Sequence, residues 1–586
     1  MPLIACDCVP HQKSLLEQVR RLGTHASIAI WGGNNENEEA LNWYRESREH
    51  RDTYLVDEVA LYVDTVLPAI SAADADRRPV VDTSPSNGLL SREPYVKRWG
   101  ATSSQADAAA GAWGDIHYYN SAADCEDPST YPSARFVSEH GFQAFPAMAA
   151  YEAVSAPADW SRESSLVRWR MRHPDGDAQA LAMLRRHFRV PPANASHAAS
   201  HAASHAAPHA ASHTAPHAAG STVRRLFGEM ERAQGVNSQR RLFGEMERGF
   251  PPPPLPPPMM TMPNPPSELS PQPPPPATPP PPPPTRGWSS WGQRRLFDEY
   301  LFLTQAQQAR CYEVAFGRWR RDRGRAAFTM GILYWQLNAI WPGPDWATIE
   351  YDGRLRLSHY SVARAFAPLA LSVELDVADD GSALDGRLRV HAASDLPGAV
   401  AGTLRVDVHL WATAPARPLA GHSLELPVSI AAEASAMVHE VSLVALGLGP
   451  GAKIARDDAF VRLSFEPNDA SAAPGAVPST GRVFVDVWLT PFKSARMTRA
   501  QPAIVSLAQT SLTRAVLRIL SNATAALVAV ESDAVVGAFS DGAFTLLAGE
   551  VRELTFEARA PFALEQMRQG LSVRSVWDTY EGEEAT

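Results

Sequence analysis

A low-complexity tract interrupts the chain and limits where ordered structure can form. Between Pro192 and Ser290, six histidines recur at every fourth position, a block beginning Arg-Arg-Leu-Phe is duplicated, and 21 of the chain's 50 prolines follow one another closely. A segment of this composition buries too little apolar surface to offset the entropy lost on ordering. We therefore predict that residues 192–290 form a disordered insert between two folded parts.

Two features of the insert could bind a ligand. Histidines four residues apart would share a helix face, but Pro208 and Pro216 interrupt that helix, and no carboxylate or thiol converges on it, so no metal site is predicted. The proline tract is predicted to be an extended polyproline II spacer, and binding to an SH3 or WW domain is the alternative.

The overall composition argues against several classes of partner. The net charge of −10 comes without a dense stripe of lysine and arginine, so no nucleic-acid partner is predicted. The sequence has no long apolar run of the kind that spans a membrane, and no membrane partner is predicted. Four cysteines are too few and too scattered for a disulfide framework, and none has histidines at zinc-ligand spacing.

Both segments that flank the insert have the pattern of β-α units around a parallel sheet. In residues 1–191 and 291–368, short apolar runs alternate with amphipathic stretches, which predicts the α/β class. Leu55, Val59 and Tyr62 recur at helical spacing and predict a helix that covers one sheet face. Six parallel strands are predicted, at residues 3–8, 27–31, 79–83, 115–119, 134–138 and 327–335.

The pattern changes to all-β after Pro368. Leu404, Val406 and Val408 alternate with polar residues, as in an antiparallel strand with one buried face. Short strands of this kind continue towards the end of the chain, separated by turns rich in glycine, proline and aspartate. We predict two β-sandwiches, at residues 369–490 and 491–580.

Two glutamates follow predicted strands and are the main candidates for chemistry. Glu36 follows the strand at residues 27–31, and Glu139 follows the strand at residues 134–138. In a β/α barrel the carboxyl ends of the strands carry the active site, so both side chains could face one pocket. The alternative for Glu36 is that it begins an acidic run suited to the positive N-terminus of a helix.

Five motifs join these candidates to neighbouring polar and aromatic residues. They are residues 27–36 (SIAIWGGNNE), 114–119 (GDIHYY), 135–143 (RFVSEHGFQ), 330–338 (MGILYWQLN) and 539–544 (FSDGAF). In order and spacing they resemble the β-mannosidases of glycoside hydrolase family 2. The resemblance covers nearly the whole chain outside the insert.

The resemblance implies a particular fold and domain order. It implies strands three to eight of a partial (β/α)8 TIM barrel, with strands three to seven in residues 1–191 and strand eight in residues 291–368. Two immunoglobulin-like β-sandwiches, at residues 369–490 and 491–580, would follow. By the same resemblance the chain corresponds to the C-terminal part of a family member, without the jelly-roll domain, the first immunoglobulin-like domain and the first barrel strands.

The resemblance also implies catalytic roles. Glu36 would be the general acid/base and Glu139 the nucleophile of a retaining glycosidase, which needs two carboxyl groups about 5 Å apart. Asn35 would hydrogen-bond the 2-hydroxyl of the sugar, and its alternative role is a helix N-cap. The substrate would be a β-mannoside oligosaccharide, cleaved at its terminal non-reducing mannose with no metal or organic cofactor.

Three aromatic residues complete the implied site. Trp335 would offer a flat apolar face to the sugar, or alternatively belong to the core. His117 and Tyr118 would contact the sugar or orient Glu139, and their alternative is ordinary packing. The chain departs from the family pattern at Ala339, where an acidic residue is usual, and in the loop at residues 125–128, where tryptophans are usual.

Two alternative functions remain open at the level of sequence. One is another exo-acting family 2 glycosidase, of the β-galactosidase or exo-glucosaminidase type. The other is a catalytically inactive fragment that acts at most in carbohydrate binding. The resemblance implies a lysosomal or secretory location, although the sequence itself carries no signal that decides it.

Overall fold

The computed structural model describes eight segments of the chain. They are residues 9–76, 78–85, 114–193, 288–376, 386–412, 417–449, 451–468 and 482–580. The predicted strand at residues 3–8 lies outside the described residues. The same is true of residues 194–287, which hold the histidine repeat, the duplicated block and the proline tract of the predicted insert.

Most of the helices lie in the first part of the chain and beside the insert. Leu55 and Val59, singled out for their helical spacing, fall on two consecutive helices, which confirms the predicted helical conformation. None of the described helices is long and apolar enough to cross a membrane. The helices are α1 Val9–Leu22, α2 Asn37–Ala40, α3 Arg45–Glu49, α4 Arg51–Glu58, a π-helix Val59–Val66, α5 Leu67–Ala73, α6 Met148–Glu152, α7 Ser165–Arg170, α8 Gly176–His187, α9 Trp288–Asp322, α10 Leu357–Ala365 and α11 Leu564–Gly570.

Parallel strands form two small sheets in the α/β part of the chain. They are β1 Trp31–Gly32, β2 Val80–Val81, β3 Asp115–Tyr118, β4 Phe136–His140 and β5 Gly331–Ile332. β1 pairs with β2, and β4 lies between β3 and β5. The parallel pairing agrees with the prediction, but three strands are shorter than predicted. The strand predicted at residues 27–31 is confined to β1, that at residues 79–83 to β2, and that at residues 327–335 to β5. A Cβ atom at Gly331 would lie 2.1 Å from the Phe136 ring, so this position requires glycine.

Antiparallel strands form two further pairs of sheets after residue 368. The first pair consists of β6 Leu369–Leu375, β7 Arg387–Ser394, β8 Val400–Leu410, β9 Ser423–Ile430, β10 Ser435–Ser442, β11 Ala459–Pro467 and β12 Val483–Trp488. Their order is β10-β7-β6 in one sheet and β12-β11-β8-β9 in the other. Leu388, Val406 and Leu463, from both sheets, are fully buried in one shared core. The two sheets therefore pack face to face, as predicted from the alternating pattern.

The second pair of sheets follows Leu489 and has a similar build. It consists of β13 Ala503–Ser511, β14 Arg514–Leu520, β15 Ala525–Ser532, β16 Gly537–Phe539, β17 Phe544–Leu546, β18 Val551–Ala558 and β19 Leu571–Arg574. The sheets have the orders β13-β14-β18-β16 and β17-β15-β19. The core between them continues into the α/β part of the chain. Leu301 and Phe302 on α9, and Phe145 in a neighbouring loop, pack in the same cluster as Leu546 and Phe556.

A disulfide fixes α9 to the loop that follows β3. Cys125 and Cys311 are bonded across a sequence separation of 186 residues, and both are buried. The hydroxyl of Tyr131 donates a hydrogen bond to the backbone oxygen of Cys125 at 2.6 Å. The four cysteines were expected to form no disulfide framework, and this single bond was not predicted, because two residues so distant in sequence become neighbours only through the fold.

Candidate active site

The loop after β1 brings Glu36 to the carboxyl end of the first parallel sheet. The backbone N–H of Gly33 donates to the oxygen of Val81 at 2.8 Å, and that of Glu36 donates to the oxygen of Ser84 at 2.8 Å. A Cβ atom at Gly33 would lie 2.5 Å from the oxygen of Asp82, so only glycine fits this close approach. Glu36 itself has a left-handed backbone (φ 61°). Such strain at a non-glycine residue is typical of functional sites.

Asn34, rather than Asn35, supports the turn that carries Glu36. The side-chain oxygen of Asn34 accepts hydrogen bonds from the backbone N–H of Asn37 at 3.2 Å and from the Thr83 hydroxyl at 2.8 Å. Its amide donates to the oxygen of Asp82 at 2.8 Å. Asn35 is exposed beside Glu36. The capping alternative considered for Asn35 is therefore wrong, and its side chain faces solvent, where a ligand can reach it.

An irregularity between β3 and β4 places His117 beside Glu139. Ile116 pairs with Val137, but the next residue, His117, pairs with Glu139, so Ser138 is an extra residue on β4. An extra residue of this kind shifts the register and re-aims the side chains that follow it. The Ser138 hydroxyl donates to Asp115 Oδ2 at 2.5 Å, which holds the irregularity in place.

His117 joins the two candidate glutamates. Its Nδ1 atom lies 2.6 Å from Glu36 Oε1 and 3.5 Å from Glu139 Oε2. One carboxylate oxygen from each glutamate and one ring nitrogen all lie within 4.8 Å of one another. The His117 side chain is 3% exposed, whereas those of Glu36 and Glu139 are 24% and 15% exposed. The two carboxyl groups are therefore close together and reachable from solvent, with a buried imidazole beside them.

The second ring nitrogen of His117 is held by a serine and an aspartate. Ser84 Oγ donates to Asp115 Oδ2 at 2.6 Å and lies 3.0 Å from His117 Nε2. Because the single hydroxyl proton of Ser84 points to Asp115, Ser84 accepts a hydrogen bond from His117 Nε2. This arrangement places a hydrogen on Nε2 and directs Nδ1 to the glutamates. Burial lowers the pKa of His117, but the Glu36 hydrogen bond and the charges of Glu139, Glu36 and Asp115 outweigh it and raise that pKa overall.

Glu139 has a second partner, which the sequence analysis did not single out. The Tyr119 hydroxyl donates to Glu139 Oε2 at 2.8 Å. Burial raises the pKa of Glu139 and is opposed by His117 and by the Tyr119 hydrogen bond, which favour the charged form. Burial and the charge of Glu139 also raise the pKa of Tyr119, so this tyrosine remains a hydrogen-bond donor.

Tyr118 does not face the site, and this corrects the expectation that it contacts the sugar or orients Glu139. Its side chain is 4% exposed and packs in the core against Tyr131, His140 and Trp319. Its hydroxyl donates to the backbone oxygen of Thr130. Tyr119 occupies the position that the prediction gave to Tyr118. It is the neighbouring tyrosine in the motif at residues 114–119, so the sequence contained a residue that could have been chosen instead.

Trp335 lies three residues after the short strand β5 and has an accessible ring. Its backbone N–H donates to the oxygen of His140 at 2.9 Å, which places it next to the end of β4. A Cβ atom at Gly141 would lie 2.5 Å from the Trp335 oxygen, so the two segments meet in contact. The Trp335 side chain is 44% exposed, which makes the core alternative wrong and leaves the ring free to contact a ligand.

Comparison with known proteins gives a match to one domain model and to several β-mannosidases. Residues 500–579 match the Ig_mannosidase family model, which is described as an Ig-fold domain. The β-mannosidase of Capra hircus is 26% identical over 600 residues, which cover 99% of this chain and 53% of that protein. The β-mannosidase of Mus musculus is 28% identical over 582 residues, covering 97% of this chain and 51% of that protein. The chain thus spans about half the length of the curated relatives it matches.

A solved structure is similar along the same length. The β-D-mannosidase of Dictyoglomus thermophilum superposes with a TM-score of 0.60 at 16% sequence identity, over 97% of this chain and 51% of that chain. At this identity the likeness concerns the fold. Together with the sequence matches, it confirms the resemblance to the β-mannosidases that the motifs indicated.

Proposed function

We propose that this chain, a relative of the β-mannosidases, carries the active site of a retaining glycosidase that releases terminal β-D-mannose from oligosaccharides. The observation that carries the proposal is the approach of the Glu36 and Glu139 carboxylates to within 4.8 Å. Retaining glycosidases place their two carboxyl groups about 5 Å apart, whereas inverting enzymes keep them at least about 6.5 Å apart to admit a water molecule.

The domain order that we propose is the same as the order predicted from the sequence. We place a partial (β/α)8 barrel in residues 1–191 and 291–368, and immunoglobulin-like sandwiches in residues 369–490 and 491–580. In this barrel, the sheet of β1 and β2 would form one part of the wall, and the sheet of β3, β4 and β5 would form the adjoining part. The hydrogen bond from Ser84, just after β2, to Asp115 on β3 supports this arrangement, because it joins the ends of the two parallel sheets.

Exposed apolar side chains near β5 also support an open barrel. Phe328, Met330, Leu333 and Leu337 are each more than half exposed. Contiguous exposed apolar residues usually mark a surface that another segment or molecule covers. In a barrel these residues would lie where β5 meets its next neighbour.

The two glutamates have different tasks in the proposed reaction. Glu36 protonates the departing glycosidic oxygen while Glu139 attacks the anomeric carbon and forms a covalent glycosyl-enzyme. Glu36 then removes a proton from water, which releases mannose with its original configuration. Both steps use only carboxyl groups, so the proposed reaction requires no cofactor.

Neighbouring residues orient the reacting groups. Tyr119 donates to Glu139, and His117 contacts both carboxylates, so both hold the glutamates in a fixed geometry. Exposed Asn35 is placed beside Glu36 to hydrogen-bond the sugar 2-hydroxyl, a contact that strengthens in the transition state. Trp335 offers an accessible aromatic face to the sugar ring.

Turnover of a panel of aryl β-glycosides tests the proposed sugar specificity. We expect kcat/KM for the β-mannoside to exceed that for the β-galactoside, the β-glucoside and the β-glucosaminide by at least about tenfold, a difference of about 1.4 kcal/mol in transition-state binding. A preference for the galactoside or the glucosaminide would assign a different exo-glycosidase. Binding of mannosides without any turnover would assign a carbohydrate-binding role instead.

A further inference from the structure

Three side chains in the candidate active site have the donor atoms and the spacing of a metal site. His117 supplies an imidazole nitrogen, and Glu36 and Glu139 each supply a carboxylate oxygen, all within 4.8 Å of one another. They come from three segments: the loop after β1, strand β3 and strand β4. We propose that this cluster binds Zn²⁺, and that the bound ion reversibly blocks the active site.

The distances suit a tetrahedral zinc ion after small side-chain movements. Zinc bonds to nitrogen and oxygen ligands are about 2.0–2.2 Å long, so neighbouring ligand atoms lie roughly 3.3–3.5 Å apart. Nδ1 of His117 is already 3.5 Å from Glu139 Oε2, and its 2.6 Å distance to Glu36 Oε1 must open slightly. Both glutamate side chains are partly exposed and can turn towards an ion that replaces their hydrogen bonds to His117 and Tyr119, whereas buried His117 is the fixed ligand.

The environment of His117 is that of a metal-binding histidine. Such a histidine directs one nitrogen to the ion and uses the other for a hydrogen bond that fixes the ring and its tautomer. His117 Nε2 donates to Ser84, which in turn donates to the Asp115 carboxylate. Nδ1 therefore faces the glutamates, and zinc would displace the proton that Nδ1 shares with Glu36 at 2.6 Å.

The charge and the donor types favour zinc over magnesium. Once the proton shared by His117 and Glu36 has left, two carboxylates and a neutral imidazole carry two negative charges, which a divalent cation neutralises. Imidazole suits Zn²⁺, while Mg²⁺ prefers six oxygen ligands in octahedral geometry. Three protein ligands leave a fourth zinc position open to water.

The predicted consequence rests on the proposed function. An ion bound to Glu36 and Glu139 occupies both the acid/base and the nucleophile, so it prevents proton donation and attack. Zinc binding and substrate binding then exclude each other. Inhibition should be competitive with substrate and reversed by a chelator.

A second cluster also combines one histidine with two carboxylates, but its geometry cannot chelate an ion. His187 faces Asp124 and Glu126, yet its Nε2 lies 2.8 Å from Asp124 Oδ1 and its Nδ1 lies 3.5 Å from Glu126 Oε1. The two carboxylates therefore lie on opposite sides of the imidazole ring, and a single ion cannot bind all three groups. His187→Asn is thus a matched control for His117→Asn.

Calorimetric titration of ZnCl₂ into the full chain tests the site independently of catalysis. We expect the unmodified chain and His187→Asn to bind zinc at the site with equal affinity. In His117→Asn and Glu139→Gln the zinc affinity of that site should be at least tenfold lower. The six histidines between His197 and His217 are present in every variant, so any zinc they bind contributes equally. MgCl₂ should not compete. Titrations that superimpose for all four proteins would overturn the proposal.

The variant Ser84→Ala, which changes the partner of His117 Nε2, covers the case in which His117→Asn fails to fold. Ser84→Ala removes only the group that holds Nε2, and loss of such a partner typically weakens metal binding about 10–100-fold. Unchanged zinc affinity in a folded Ser84→Ala protein would count against the site. Zinc binding that depends on His117 without any glycosidase activity would retain the site and reject the proposed function. Glycosidase activity that zinc does not inhibit would retain the proposed function and reject the zinc site.

Discussion

Nδ1 of His117 lies 2.6 Å from Oε1 of Glu36. The opposite nitrogen of the ring carries a hydrogen that points to Ser84, since the Ser84 hydroxyl donates to Asp115. Two lone pairs cannot face each other at such a distance, so one proton lies between His117 and Glu36. The pair therefore stores a proton next to the position of the proposed leaving group, which is what a general acid needs.

Replacement of Glu36 by alanine should impair natural substrates far more than activated ones. Departure of a sugar alcohol requires protonation, and its loss should lower kcat/KM by about 10²–10⁴-fold. A dinitrophenyl β-mannoside has a leaving group that departs without protonation and should react at a much less reduced glycosylation rate. Glu38→Ala, in the same acidic run, is the control and should leave both rates nearly unchanged. Equal losses on both substrates would reject Glu36 as the acid.

Tyr119 and Tyr118 form a pair of neighbouring residues with opposite predicted effects. Tyr119→Phe removes the hydrogen bond to Glu139, which for a charged acceptor corresponds to about 1.5–3 kcal/mol, and should lower kcat by roughly 10–100-fold with little loss of stability. Tyr118→Phe removes a hydroxyl in the core and should lower the unfolding midpoint while kcat changes less than about threefold. Kinetics and thermal unfolding of both variants measure the difference. The reverse pattern would mean that Tyr118, not Tyr119, orients the nucleophile.

Sequence patterns predicted the two glutamates but not the tyrosine that supports one of them. Glu36 and Glu139 could be selected from the sequence because each follows an apolar run, and the ends of parallel strands meet at one edge of a sheet. Tyr119 lies two residues after His117 and shares its side of the chain, whereas Tyr118 points to the other side and into the core. Alternation does not reveal the extra residue Ser138, which pairs His117 with Glu139.

Contacts between residues far apart in the sequence could not be predicted from sequence patterns either. The Cys125–Cys311 bond and the Ser84–Asp115 hydrogen bond join segments whose proximity is set by packing rather than by local pattern. In contrast, the alternating residues Leu404, Val406 and Val408 are all fully buried on one strand, as predicted, because a two-residue period depends only on local geometry.

The stability contributed by His187 should depend on pH. Burial lowers the pKa of His187, but Glu126 and the Asp124 hydrogen bond outweigh it and raise that pKa overall. The folded state therefore binds the proton more tightly than the unfolded state. The resulting stabilisation is complete below the unfolded pKa of about 6.5 and disappears as pH rises through the higher folded pKa. The difference in unfolding midpoint between the unmodified chain and His187→Asn should be larger at pH 6 than at pH 9.

His173 provides the control for this titration, with the opposite sign. Burial lowers its pKa, so protonation favours the unfolded state, and His173 costs stability as the pH falls. The His173→Asn variant should therefore gain stability relative to the unmodified chain as the pH is lowered. If the midpoint differences of both variants stay constant between pH 6 and pH 9, the two histidines do not titrate as described.

Loss of the Cys125–Cys311 disulfide should destabilise the fold. The bond closes a loop of 186 residues, and removal of a native disulfide typically costs about 2–5 kcal/mol. We expect the Cys125→Ala/Cys311→Ala double variant to unfold at a clearly lower denaturant concentration than the unmodified chain. Equal midpoints for the two proteins would show that the bond is absent or contributes no stability.

The identity of the nucleophile is tested most directly by trapping the covalent intermediate. The full chain is incubated with a dinitrophenyl 2-deoxy-2-fluoro-β-mannoside, and its peptides are analysed by mass spectrometry. The fluorine slows release of the glycosyl-enzyme, so a stable adduct should accumulate on the peptide that contains Glu139 and be absent from Glu139→Gln. An adduct on Glu36 or on another carboxylate, or no adduct in a chain that turns over aryl mannosides, would contradict the assignment of Glu139.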